Sequence, residues 1–424
     1  MSDPHGPASA KGTFRSLDYF NYRLWAMGAI VSNIGTWMQF TAQDWLVLTV
    51  LTHNNGTSLG IVMALQYGPQ LLLLPVTGLV VDRVDKRRLL MITQGLMGIL
   101  ALGLGVLTLS GLVQLWHVYV FAFSLGCVAA FDSPARQTFV SALVPKDTLS
   151  NAVALNSTSF NLARMIGPAV AGVLISIMGT GPVFLINGLS FGAVLISLTQ
   201  LRRSELLADG SSKSAKGGLI SGFVYVLQRP DLMVILMMIF LIGTFGLNFQ
   251  IFISTMSVKV FHKGAGQYGL LSSIMAMGSI SGTLLSARRE KPNFSVLLFG
   301  TAIFGFGFII ASLMPNYWLF GLSLIIIGMA AQTITTTANG TLQMNTEPTM
   351  RGRVMAIFMA IALGGTPLGA PFVGFVADRF GPRAALYIGA FAGLSAALIG
   401  LLYLIRFKRL RLVKDEGHYK FLMD

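Results

Sequence analysis

The chain has 424 residues, of which 54% are hydrophobic and only 11% charged, a balance that soluble domains rarely reach. Its formal net charge of +14 would fit a nucleic-acid binder, but 25 of the 30 Lys and Arg residues fall in alternate polar segments, four in the intervening loops and one inside an apolar stretch. That bias is a topology signal, with the basic segments held in the cytoplasm, and it excludes nucleic acid as the partner. The lone Cys127 excludes an internal disulfide and a cysteine metal framework.

Residues 1–23 form a polar tail whose first 13 residues are rich in Pro, Gly, Ala and Ser and are expected to be disordered. No cleavable signal peptide is expected there. Twelve apolar stretches follow: 24–51, 57–81, 89–109, 116–135, 155–178, 181–201, 232–254, 266–287, 294–314, 317–338, 354–377 and 384–405. At about 20 residues each they can cross ~30 Å of hydrocarbon as helices. They do not alternate as barrel strands do. An all-α membrane protein with both termini cytoplasmic is the expectation.

In the first stretch Asn33, Trp37, Thr41 and Asp44 share one helical face. An ionised Asp costs ~2.5–3.5 kcal/mol at the centre of a span and less toward its ends. Asp44, in the outer half, is therefore the candidate proton carrier, a hydrated structural carboxylate being the other reading. After the second stretch comes Gly78-Leu-Val-Val-Asp82-Arg83-Val-Asp85-Lys86-Arg87-Arg88. Here Gly78 allows close backbone contact, Asp82 can face a helix N-terminus, and the basic cluster can hold acidic lipid heads or carboxylates. Asp132 and Arg136 stand four apart at the inner end of the fourth stretch and can pair.

Arg164, the basic residue inside the fifth stretch, needs a partner or water. It can join the Asp132–Arg136 pair or attract an anionic solute. Residues 202–218 read as a flexible linker, and Leu219 to Arg229 as an amphipathic helix on the membrane face. The seventh stretch offers Thr244, Asn248, Phe252 and Thr255 on one face. The tenth offers Gln332, Thr335, Thr336 and Asn339, a run too polar to face lipid. Prolines at 69, 75, 168, 367 and 371 lie inside stretches and permit bends.

Four copies of a glycine followed by a short polar or basic turn begin at Gly78, Gly172, Gly282 and Gly374. Gly78 and Gly282 are 204 residues apart, and Gly172 and Gly374 are 202 apart. The chain thus divides into a tail (1–23), a six-helix bundle (24–201), a linker (202–230), a second six-helix bundle (231–405) and a tail (406–424). Nested repetition of this kind suits two bundles that rock about a shared site. Enzyme signals fail. There is no Gly-Lys of a phosphate loop, Gly188-Leu-Ser190-Phe-Gly192 lies within a span, and the five histidines sit in tails or loop edges. No cofactor and no metal are expected.

Together these segments resemble the major facilitator superfamily over essentially the whole chain. The 78–88 loop is similar to that family's loop between helices 2 and 3, with Asp85 where a glycine is usual. Ala163-Arg164-Met-Ile-Gly167-Pro168-Ala-Val-Ala171-Gly172 is similar to its antiporter motif, with alanine for glycine at 154, 163 and 171. No arginine stands near Ala122, where drug antiporters often carry one. Phe131–Gln137 and Asn156–Pro168 are most similar to the branch of macrolide-efflux and enterobactin exporters.

The resemblance implies a cytoplasmic latch of Gly78, Asp82, Arg83 and Arg87, with Asp82 facing the start of helix 11 near Gly352 to Met355. It also implies a cavity lined by the first, fourth, seventh and tenth helices. Candidate substrate contacts are then Asn33, Trp37, Thr41, Arg164, Thr244, Asn248, Phe252, Gln332, Thr335 and Asn339. Gly167, Pro168 and Gly172 would mark an exporter. The expected protein is a monomer in the bacterial inner membrane that exports a small amphipathic molecule, a drug or siderophore, by proton antiport. An importer or uniporter of the same fold is the other reading.

Overall fold

The computed structural model describes residues 12–207, 219–289, 292–407, 411–415 and 418–422. In hydrocarbon every backbone N–H and C=O needs an internal partner, so the apolar stretches become helices. The first half contains α1 (Phe20–Trp45), α2 (Gly56–Leu72), α3 (Leu74–Arg83), α4 (Lys86–Leu109), α5 (Leu115–Leu143), α6 (Lys146–Met178) and α7 (Thr180–Gln200). A short α8 (Leu219–Leu227) stands where the amphipathic linker helix was expected. The second half contains α9 (Pro230–Leu241), α10 (Phe249–Thr255), α11 (Ala265–Ala287), α12 (Phe294–Leu313), α13 (Tyr317–Asn345), α14 (Arg351–Arg379) and α15 (Pro382–Phe407). Two short strands, β1 (Arg411–Asp415) and β2 (His418–Leu422), pair antiparallel in the C-terminal tail.

Among the described residues, ten helical segments are long and apolar enough to span a membrane, with α9 and α10 counted as one run. The polar first segment (α1) and the broken second segment (α2 and α3) complete the twelve. Two of the segments are interrupted, one of them beside Pro75, where a bend was expected. The second segment breaks at Leu73, where Pro75 stands in the first turn of α3 and donates no backbone hydrogen bond. The seventh holds a π-helical turn at Ile242–Gly246 and leaves the helix at Leu247 and Asn248 before α10 resumes.

Within the first half α1 packs on α6 and α7, α4 on α5 and α7, and α2 on α5. Within the second, α11 packs on α13, and α12 on α13 and α15. The halves meet along two seams, α2 with α14 and α6 with α11. Small residues bring these helices to backbone contact. Gly60 faces the Ala370 carbonyl, Gly374 faces Gly56, and Gly269 faces the Pro168 carbonyl.

The seams lie toward the end of the molecule opposite the basic loops. There one continuous apolar core crosses both halves, from Met38, Leu46, Leu59 and Ile175 to Ile251, Tyr268 and Val373. Toward the basic end the first half has its own separate core around Trp25, Leu90, Phe139 and Leu198. Among the described residues the halves therefore share an apolar core at one end and not at the other.

Candidate functional site

Asp44 lies near the end of α1 and is only 2% exposed. It accepts hydrogen bonds from the Tyr268 hydroxyl at 2.8 Å and from Gln250 Nε2 at 3.0 Å. Both donors belong to the second half, so the carboxyl bridges the halves. Both are neutral, and both reach Oδ2. No hydrogen bond among the described residues is made to Oδ1. Trp45 stacks on Tyr268 with centroids 6.2 Å apart, and Gln43 Nε2 donates to Gln66 Oε1 at 2.8 Å.

The sequence reading missed Gln250 and Tyr268. Periodicity carried from Thr244 points to Asn248, Phe252 and Thr255, but the π turn and the break at Leu247 reset the helix: Thr244, Asn248 and Phe252 turn into the second half, whereas Thr255 lies at the seam beside Gly56. Asn248, fully buried, donates from Nδ2 to the Thr244 carbonyl at 2.7 Å. Thr244 lies against Gly365 and Gly369 of α14. Phe252 packs edge-on against Phe308 with centroids 5.1 Å apart. Each is occupied by packing.

On α1, Asn33 also has a structural partner. Its Oδ1 accepts from Arg136 Nη1 at 2.8 Å, and Arg136 pairs with Asp132 at 3.1 Å. Asp132 Oδ1 in turn accepts from Thr93 and Gln94, each at 2.7 Å. Arg164 does not join this network. Its guanidinium instead lies 5.6 Å from the centroid of the Trp37 ring. Thr41 donates to the Trp37 carbonyl at 3.0 Å. On α13, Thr333, Thr337 and Thr341 are buried, whereas Gln332, Thr335 and Asn339 are half-buried and Thr336 is exposed. Gln343 donates to Asn339 at 2.7 Å along the more open face.

The joined end carries a latch. The Asp378 carboxylate, at the end of α14, accepts from the Gly56 N–H at 2.7 Å, the Thr57 N–H at 2.8 Å and the Thr57 hydroxyl at 2.6 Å. Lys259 adds an ion pair at 2.8 Å. An anion at the first turn of α2 satisfies unpaired amides and complements the helix dipole. Gly172 and Pro168 lie on the α6–α11 seam, against Ala265–Gly266 and Gly269, and Gly167 sits against Trp37 of α1.

A Cβ built on Gly78 or Gly352 would meet nothing within 4 Å, so the expected close contact at Gly78 is not made. Arg83 is exposed, and the Asp82 side chain lies outside the described residues. Arg87 is buried and donates from Nε to the Leu198 carbonyl at 2.6 Å, tying α4 to the end of α7. Among the described residues no group of three His, Cys, Asp or Glu could hold a metal.

Residues 11–417 match the family of transmembrane secretion effectors. The staphyloferrin A transporter of Staphylococcus aureus is 27% identical over 390 residues, covering 91% of this chain and 96% of that protein. The enterobactin exporter EntS of Escherichia coli is 24% identical over 377 residues, covering 86% and 87%. The nucleoside transporter NupG superposes with a TM-score of 0.72 at 13% identity, over 92% of this chain and all of that one. An inward-facing, unoccupied bacterial homologue of the human lysosomal transporter Spinster gives 0.68 at 15% identity, over 93% and 96%.

Proposed function

The chain belongs to the transmembrane secretion effector family of the major facilitator superfamily, and we propose that it exports a small organic molecule by proton antiport. It is a multi-pass transporter related to siderophore exporters rather than an enzyme. The proposed substrate is of siderophore type, the proposed membrane the bacterial inner membrane, and the acting unit a monomer of two six-helix bundles, 24–201 and 231–405, joined by 202–230. Both termini are assigned to the cytoplasm from the distribution of Lys and Arg.

One observation carries the antiport reading: a buried carboxyl, Asp44, joins the halves through two neutral donors on one oxygen. Oδ2 can serve both donors while Oδ1 holds a proton, so a neutral Asp44 fits the closed outer end. Losing that proton leaves an uncompensated anion in an apolar seam, which favours parting the seam and hydrating the carboxylate. Protonation then accompanies closure toward the outside, and deprotonation accompanies opening. Coupled to solute release outside, that order moves protons inward and solute outward.

The test is transport in inverted vesicles with a panel of siderophores and antibiotics, with and without a pH gradient. Wild type should accumulate at least one compound only under the gradient. Asp44→Asn should lose gradient-driven accumulation while reaching normal abundance in the membrane. Full gradient-driven transport by that variant would reject Asp44 as the carrier.

A further inference from the structure

The proton path leaves a second charge at membrane depth unexplained. Arg164 is half-buried on α6, a turn from where Gly167 packs on α1, and among the described residues it makes no ion pair. The acids that could neutralise it are engaged elsewhere. Asp44 is held by Tyr268 and Gln250, and Asp132 by Arg136, Thr93 and Gln94. A cation held at membrane depth without a carboxylate is costly unless it faces water or a ligand. Arg164 lies beside the seam between the halves, next to Met165, whose carbonyl accepts from the Ser273 hydroxyl of α11 at 2.6 Å, and its half-buried side chain keeps access to the space there.

Its surroundings are aromatic. Trp37 holds the guanidinium at 5.6 Å and meets Phe40 and Phe160 edge-on, with centroids 5.6 and 5.8 Å away. A cation against a Trp face keeps a fork of N–H donors that matches a planar two-oxygen acid. The neighbouring rings offer a wall for an apolar or aromatic body.

We propose that Arg164 and the Trp37 wall form an anion subsite, and that the transported solute is an organic acid with an aromatic or apolar body attached. The proposal rests on the export reading only in taking the space between the halves as the solute path. It separates the two charges: Asp44 handles the proton, and Arg164 the acidic group of the solute.

The experiment uses the purified full chain in nanodiscs, without a gradient, and two fluorescent probes, dansyl-phenylalanine and its neutral amide. Wild type should bind the acid more tightly than the amide by about 10- to 100-fold, the range of a charge-assisted hydrogen bond. Arg164→Gln should bring the two within about twofold of each other, on the same scale, and Trp37→Ala should weaken both. Arg164→Lys, which keeps the charge without the fork, should retain part of the preference and guards against a misfolded glutamine variant.

Equal binding of acid and amide by wild type would overturn the proposal, as would an intact preference in Arg164→Gln. Because binding is read at equilibrium, an acid preference alongside gradient-independent transport would reject antiport and keep the subsite. A missing preference alongside transport that depends on Asp44 would do the reverse.

Discussion

At the scale of single residues, the seam between the halves turns on what Asp44 touches. Its position was legible because an acid within a span is rare and its placement costly. Its partners were not, because Gln250 and Tyr268 are ordinary residues whose meaning comes from contacts more than 200 positions away along the chain. Tyr268→Phe removes one of two hydrogen bonds to Oδ2 and should cost about 0.5–1.5 kcal/mol of seam stability. Initial rates in vesicles should fall about 2- to 10-fold on that scale, whereas Asp44→Asn abolishes gradient-driven uptake. If Tyr268→Phe proved as inactive as Asp44→Asn, Tyr268 itself would have to relay the proton. Asn33 taught the opposite lesson. It shares the helical face of Asp44, yet its oxygen is committed to Arg136 inside the first half.

Among the elements, the repeat that first divided the chain has a structural counterpart at its fourth copy. Asp378, at the end of α14, grips the start of α2, while Asp82, at the end of α3, was expected to face the start of α14. Two helix ends and two helix starts could thus exchange grips at opposite ends of the molecule. Asp378→Asn removes the charge from three donors and Lys259 and should weaken the grip by about 1.5–3 kcal/mol. Amides at the start of α2, Gly56 to Leu59, should then exchange with deuterium about 10- to 100-fold faster. Unchanged exchange would show that the Asp378 grip does not hold the start of α2. The seventh segment was legible as a helix and illegible as a surface. No propensity rule announces the π turn at Ile242–Gly246, and one added residue per turn is enough to change which side chains face the seam.

For the whole molecule, hydropathy and the charge bias made the twelve segments readable, since every crossing must be apolar and every loop must choose a side. The end at which the halves share a core was not readable, because it arises from contacts between helices far apart in sequence. Among the described residues a single core crosses the halves at the end bearing Asp378, Lys259 and Asp44, so opening there must break that core and the latch together. Such an element is bistable, and a proton on Asp44 can bias it only as far as its two states differ in their hold on that proton. The direct measurement is the spin-label distance between Val50→Cys and Lys263→Cys across this end, in a Cys127→Ser background, as pH is varied in nanodiscs. The account predicts a short distance at acid pH, a growing long-distance population as pH rises, and a short, pH-insensitive distance in Asp44→Asn. A wild-type distance indifferent to pH, or opening with pH in Asp44→Asn just as in wild type, would contradict it.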